Sequence, residues 1–268
     1  MRVTVLGSGS RGNALAITSG ATSILIDAGF GPRTLARRAT SCGIDLSGLS
    51  GIFLTHEHGD HARGAAQLAR EVGCPMYGSR GTLAALRDRL DGVGTLELQA
   101  LETTAVGELG VTACHTSHDA AEPLALSVAE TRTGQHVGIA YDLGRPTAQV
   151  RYLLRGAAAL VLEANHDDVL LRTGPYPAAV RERIAGPGGH LSNRDAAELL
   201  QELYHPGLRV VVLAHLSDRC NREDLALKAV RDVLVRRGFQ GKLHVARQGE
   251  PLGPIELTAE QYALDGLS

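Results

Sequence analysis

Apolar and polar residues along the chain change their period several times, and each change predicts an element. Residues 3–6, 15–18 and 23–27 are short strand-like runs separated by glycine-containing turns, which predicts a β-meander. Residues 35–42 read as a helix and 51–55 as a buried strand. In HARGAAQLAREVG, residues 61–73, apolar positions recur at helical spacing until Gly73 meets Cys74 and Pro75, so one helix is predicted with a stop at its end. A short strand at 76–78 and a helix at 82–90 complete this half.

From residue 95 to 128 the period returns to β in TLELQAL, AVGELGVTACHT and PLALSVAE. Strands HVGIAYDLG and AALVLEAN then bracket a helical TAQVRYLLR. The helix of NRDAAELLQELY precedes the strand LRVVVLAHLS, and NREDLALKAVRDVLVRRG precedes the strand KLHVARQG. The second half therefore repeats the order of the first. The pattern predicts an α/β fold in which two β-then-α halves pack sheet against sheet with helices outside, as one domain over residues 1–268.

Composition narrows the classes. With 268 residues and 44% hydrophobic content the chain can bury a substantial core. A formal charge of -2 gives no global basic excess of the kind that marks many nucleic-acid binders, so any such contact needs a local patch. Of the 27 basic residues only Lys228 and Lys242 are lysines, and arginine suits bidentate phosphate contacts. Cys42, Cys74, Cys114 and Cys220 are scattered, which points to a reduced cytoplasmic setting. The opening MRVTVLGSGS lacks a signal-peptide plan, and no apolar run approaches the roughly 20 residues that cross a bilayer. No membrane role is expected.

The chemistry concentrates in FLTHEHGDH, residues 53–61. His56, His58, Asp60 and His61 follow one strand end and lead into a helix. Imidazoles at i and i+2 reach one metal ion, while the carboxylate and third histidine, redirected by the turn, reach a second. Two-metal hydrolytic sites have separations of roughly 3.5–4 Å, which this spacing serves. Nitrogen and oxygen ligands without thiolate suit zinc, manganese or iron. His118, Asp142 and His215 each end or follow an apolar strand and complete two shells, with Asp142 as the bridge. His115 competes with His118 on proximity alone.

THEHGDH, SHDA, YDLG and LAHLS, in this order, resemble the metallo-β-lactamase superfamily. The GSGSRGN start, SHDAAEP, GHLSN and AHLS resemble more narrowly its YycJ/WalJ group, over residues 1–250. The resemblance implies an αβ/βα sandwich of two mixed β-sheets flanked by helices. It also implies two divalent metal ions, manganese or zinc with iron as a further option, and a DNA nuclease of 5′-to-3′ exonuclease character in mismatch repair. It assigns His56, His58 and His118 to one metal and Asp60, His61 and His215 to the other, bridged by Asp142. His190 matches a position that donates a proton or contacts the scissile phosphate. A hydroxide held between the metals would attack phosphorus, with Asp60 orienting it and His190 serving the departing oxygen. Implied partners are single-stranded DNA ends, and mismatch-repair or signalling proteins.

Several elements keep two readings. Glu163 either positions His190 or, with Asn165 and His166, closes a polar strand end. Ser192 and Asn193 suit a helix N-cap and also stand beside His190 for substrate contact. GSGSRGN is either a hairpin turn or a cleft rim whose amides and Asn13 meet a phosphate. Arg33, Arg37, Arg38, Arg172, Arg181 and Arg183 either form a positive patch or coat solvated helices. Rival functions are an RNA-processing nuclease, a thioester hydrolase resembling glyoxalase II, and a metal-binding protein without turnover. A secreted β-lactamase is disfavoured by the N-terminus and by His61.

Overall fold

The computed structural model describes residues 1–257; the remainder of the expected domain range, 258–268, lies outside the described residues. Two seven-stranded sheets dominate it. The first holds β1 (Arg2–Gly7), β2 (Ala14–Ser19), β3 (Thr22–Ile26), β4 (Gly51–Phe53), β5 (Met76–Gly78) and β6 (Thr95–Glu97) in sequence order. The second holds β7 (Thr103–Val106), β8 (Leu109–His115), β9 (Leu124–Glu130), β10 (His136–Ala140), β11 (Ala159–Glu163), β12 (Val210–Ala214) and β13 (Lys242–Val245). A final strand, β14 (Leu252–Glu256), returns to the first sheet and pairs antiparallel with β1.

Both sheets are mixed. β1 to β3 and β7 to β10 run antiparallel, whereas β3 to β6 and β10 to β13 run parallel. Parallel neighbours need crossovers, and helices supply them. They are α1 (Pro32–Ser41), α2 (Gly59–Ala62), α3 (Ala65–Val72), α4 (Arg80–Leu86), α5 (Ala148–Leu154), α6 (Asp168–Thr173), α7 (Ala178–Ala185), α8 (Asn193–Leu203) and α9 (Glu223–Arg236).

Strand side chains alternate between two destinations, which explains the continuous apolar runs. Ile24 and Ile26 of β3, with Val161 of β11 and Val212 of β12, fill the layer between the sheets. Leu25 faces the helix layer of α1 and α3 through Leu35 and Leu68, while Leu160 and Leu213 meet Leu199, Val230 and Leu234 on the opposite side. Each fully buried Leu, Ile or Val of this kind is worth about 1.5–3 kcal/mol, so both layers are needed to hold the sandwich.

Two local departures from the sequence reading have physical causes. The helix expected over 61–73 breaks into α2 and α3 at Gly64, whose N–H donates to Ala28 O at 2.8 Å instead of to its own helix. A Cβ at Gly64 would lie 2.2 Å from Phe30 O, so only glycine permits this approach. The sequence reading also omitted α6, α7 and β14. No residue of α7 is buried, so it presents no apolar stripe, and β14 carries Pro254, which a strand tolerates only at an edge.

Candidate metal centre

The carboxyl ends of β4, β8, β10, β11 and β12 converge, and the chemistry-bearing residues sit there. His56, His58, Asp60 and His61 occupy the turn from β4 into α2; His118 follows β8, Asp142 follows β10, Glu163 ends β11, His190 precedes α8, and His215 follows β12. Three of the strand-end residues have left-handed backbone: Asp27 after β3 at φ 58°, Asp142 at φ 51° and His215 at φ 54°. Such conformations cost energy for a residue with a Cβ, and neighbouring bonds hold them here. Asp27 N–H donates to Phe53 O at 2.8 Å, and His215 N–H donates to Ser8 Oγ at 2.8 Å.

All seven expected ligands come together. Ligand-type atoms of His56, His58 and His118 lie within 4.8 Å of one another, as do those of Asp60, His61 and His215 and those of His56, His61 and Asp142. Asp142 Oδ2 is 3.8 Å from His56 Nε2 and 2.7 Å from His61 Nε2, so one carboxylate oxygen faces both triads. His115 stands outside these groups, half exposed and 3.7 Å from Glu122. That separates it from His118.

The donor atoms fit divalent ions. His56 Nε2, Asp142 Oδ2 and His215 Nε2 are buried yet make no hydrogen bond, and an orphaned buried polar atom is costly unless something else satisfies it. The opposite side of most imidazoles is tied down. His56 Nδ1 lies 3.0 Å from Thr55 Oγ1, His61 Nδ1 2.8 Å from Asp27 Oδ2, His118 Nδ1 3.1 Å from Gly189 O, and His215 Nδ1 3.1 Å from Glu163 Oε1. With a proton on Nδ1 for each acceptor, the Nε2 lone pairs face the cleft where a metal would bind, that of His61 lying 3.0 Å from Asn13 Nδ2 as well. Nitrogen and oxygen donors in this number suit zinc, manganese or iron.

Two buried carboxylates organise the ligands, and the sequence reading missed one of them. Asp27 accepts from the Thr55 N–H at 2.8 Å, from Thr55 Oγ1 at 2.8 Å and from Tyr141 Oη at 2.9 Å, besides holding His61. Its only signal in the sequence is a charged residue closing the apolar run SILI. Glu163 is fully buried; its Oε1 is 2.8 Å from His190 Nδ1, and its Oε2 accepts from the Leu143 and Leu191 N–H groups at 2.8 and 3.1 Å.

The charges respond to this crowding. Burial would raise the Glu163 carboxyl, but the positive charge of His190 and the hydrogen bonds of His190 and His215 hold it down to about 2. Burial would lower His215, yet Asp142, Asp60 and Glu163 lift it to about 9. His190 is also raised well above the usual imidazole range, against its burial, chiefly by Glu163 and Asp142. His56 goes the other way, lowered by burial and by the neighbouring His61. Burial would raise Asp60, yet the His215 and His61 rings, each with Nε2 3.6 Å from its Oδ2, hold it below the ordinary carboxylate range.

At other positions the structure distinguishes between the paired readings. Asn13, Ser192 and Asn193, expected either at substrate or in turn and cap roles, are buried at 1%, 1% and 4% exposure with internal partners. Asn13 Oδ1 accepts from Gly9 N–H at 2.8 Å, Ser192 Oγ caps α8 by accepting from Asp195 N–H at 3.1 Å, and Asn193 donates to Asn221 at 2.8 Å. Asn13 sits inward because Gly7 and Gly12 lie against Phe30, where a Cβ would come within 2.7 Å of the ring. Among the arginines, Arg38 is folded in, donating to Leu6 O at 2.7 Å and Gln248 O at 2.9 Å and lying 4.2 Å from the Phe30 ring centre. Arg183 pairs with Asp119 at 2.6 Å.

Residues 22–216 match a family model described as beta-lactamase superfamily domain. The chain is 31% identical over 242 residues to a Bacillus anthracis protein named exodeoxyribonuclease YycJ, covering 89% of this chain and 91% of that one. It is 27% identical over 230 residues to exodeoxyribonuclease WalJ of Streptococcus pneumoniae, with 84% and 85% covered. Among solved structures, the metallo-beta-lactamase fold protein YhfI from Bacillus subtilis shares the fold at TM-score 0.71 and 19% identity, over 94% of this chain and 98% of that one. The chain belongs to the metallo-β-lactamase superfamily, in its YycJ/WalJ group.

Proposed function

We propose that the protein is a binuclear metal-dependent phosphodiesterase, a DNA exonuclease that removes nucleotides from 5′ ends during DNA repair in the cytoplasm. The observation that carries this reading is the set of orphaned ligand atoms beside a His190–Glu163 pair. The names of the YycJ and WalJ relatives support DNA as substrate. No helix among the described residues is long and apolar enough to cross a membrane.

His56, His58 and His118 would hold one ion, Asp60, His61 and His215 the other, and Asp142 both. When bound, divalent ions supply Lewis acidity, polarising phosphoryl oxygens and lowering the pKa of water. Asp60 remains ionised and orients the attacking water as an acceptor. His190, protonated and held at Nδ1 by Glu163, donates its Nε2 proton to the departing oxygen, a step worth about 10²–10⁴-fold. Glu163 stabilises the charged ring throughout and fixes His215 at the same time.

Cleavage of 5′-phosphorylated single-stranded DNA with added Mn²⁺ or Zn²⁺, beside an Asp60→Ala variant and a matched RNA, tests the reading. Stepwise loss of nucleotides from the 5′ end, abolished in the variant, is expected. Cleavage of RNA alone would assign the site to RNA processing, and silence on both would leave thioester hydrolysis or a non-catalytic role.

A further inference from the structure

A pocket of about 340 Å³ adjoins the metal cleft and includes His190 and His215 in its lining. Three segments that are remote in sequence meet there: Arg11 from the β1–β2 loop, Tyr176 from the α6–α7 loop, and Arg219 from the loop after β12. Its volume falls at the small end of the ~300–1,000 Å³ range of ligand pockets, which suits a single nucleotide. Ile184 and Leu216 add apolar wall.

The lining offers the two contacts that a nucleotide requires. Tyr176 is half-buried, and the Arg219 guanidinium lies 5.8 Å from its ring centre, a pairing of aromatic face and cation that bases and phosphates use in single-stranded complexes. Arg11 is 3.3 Å from Asp218, with the two side chains 70% and 53% exposed. A pair that exposed is weak and water-screened, so Arg11 can leave Asp218 when a stronger anion arrives.

We infer that this pocket holds the departing nucleotide, its base stacked on Tyr176 and its 5′-phosphate gripped by Arg11 and Arg219; this rests on the exonuclease reading above. Hydrolysis adds the water oxygen to phosphorus and breaks the P–O3′ bond, and the proton from His190 goes to O3′. The products are a nucleoside 5′-monophosphate and a strand shortened by one residue. O3′ belongs to the nucleotide that leaves, so the group that protonates it has to border the pocket that holds that nucleotide. His190 does so. The shortened strand begins with a new 5′-phosphate, so each turnover regenerates the group that the arginines recognise.

The test uses the full-length, Mn²⁺-loaded protein on matched 5′-phosphorylated and 5′-hydroxyl oligothymidylates, with bis(p-nitrophenyl) phosphate as a substrate that needs no pocket. The wild type is expected to hydrolyse the simple diester and to prefer the 5′-phosphorylated strand. Arg219→Ala is expected to lower that preference about tenfold, chiefly through KM, as befits a charge-assisted phosphate contact. Tyr176→Ala is expected to raise KM about tenfold for both strands, the scale of one base–aromatic stack, and Tyr176→Phe to restore it. Arg132→Ala, in the exposed β9–β10 turn, serves as the control that keeps the wild-type preference. A wild type that hydrolyses the diester but ignores the 5′-phosphate, or pocket variants that keep the preference, would overturn the pocket and leave the phosphodiesterase reading standing. Failure to hydrolyse the diester at all would overturn both.

Discussion

Asp27 Oδ2 lies 2.8 Å from Nδ1 of His61, a residue 34 positions further along the chain. The contact orients an imidazole whose Nε2 faces Asp142 and Asp60. A partner behind a metal-bound histidine typically matters by about 10–100-fold in metal affinity. Asp27→Ala is accordingly expected to weaken metal binding by that factor, with DNA cleavage falling alongside. Calorimetric metal titration of the purified variant checks it, and unchanged affinity would show that Thr55 and the packing around His61 suffice.

Glu163 gives a prediction about pH. Its carboxylate raises His190, so Glu163→Gln lowers the His190 pKa. A group that acts as a proton donor loses function as pH rises through its pKa. The alkaline limb of the kcat–pH profile is therefore expected to move to lower pH in the variant. A profile that drops uniformly without moving would assign Glu163 a packing role only.

Metal binding is also expected to depend on pH. In the metal-free protein His215 is lifted to about 9, above its unfolded value, so its stabilising contribution is complete below the unfolded pKa of about 6.5 and is lost as pH rises through 9. A metal has to displace that proton, so affinity is expected to rise by about tenfold per pH unit across this window. Zinc titrations against a competing chelator at several pH values, with thermal melts of the chelated protein, read both trends. An affinity indifferent to pH would mean that His215 enters the site already neutral.

Gly29 supports the site from behind. A Cβ there would lie 1.7 Å from the backbone oxygen of Asp60, and its N–H donates to Asn13 O at 2.9 Å. Because the obstacle is backbone, Gly29→Ala has to move the ligand-bearing turn itself. Destabilisation of about 3 kcal/mol together with loss of bound metal is expected. A stable variant with full metal content by elemental analysis would show that the turn shifts freely.

Acid stability is expected to depend on a bond between the two sheets. Glu130 of β9 accepts from Ser19 Oγ of β2 at 2.6 Å and from Thr133 Oγ1 at 2.6 Å. The hydrogen bond from Ser19, then that from Thr133, holds its carboxyl down to about 2. A depressed carboxylate contributes above its unfolded pKa, near 4.5, and the contribution is lost as pH falls toward 2. Between those values the wild type is expected to lose thermal stability more steeply than Glu130→Gln. Parallel melting curves would refute this.

What the chain reveals of this site depends on distance along it. His56, His58, Asp60 and His61 lie within one turn, so their spacing alone displays the chemistry. His118, Asp142 and His215 are legible because each closes an apolar strand, and strand ends converge in such a fold. Asp27 and Tyr141 are not, since their meaning lies in a bond spanning 114 residues. The break at Gly64 is hidden for the same reason: its cause is a carbonyl oxygen of Phe30. For Asn13, Ser192 and Asn193 two readings stay open in the sequence because polarity in a loop says nothing of which way the side chain turns, and all three turn inward.

The candidate ligands are divided between the sheets: His56, His58, Asp60 and His61 ride on the first, and His118, Asp142 and His215 on the second. Neither sheet alone carries either complete group, His56, His58 and His118 or Asp60, His61 and His215. A metal centre built from both would therefore act as a caliper across the sandwich. A core substitution far from the cleft, by letting one sheet slide on the other, would open the caliper and register as weakened metal binding before any loss of secondary structure.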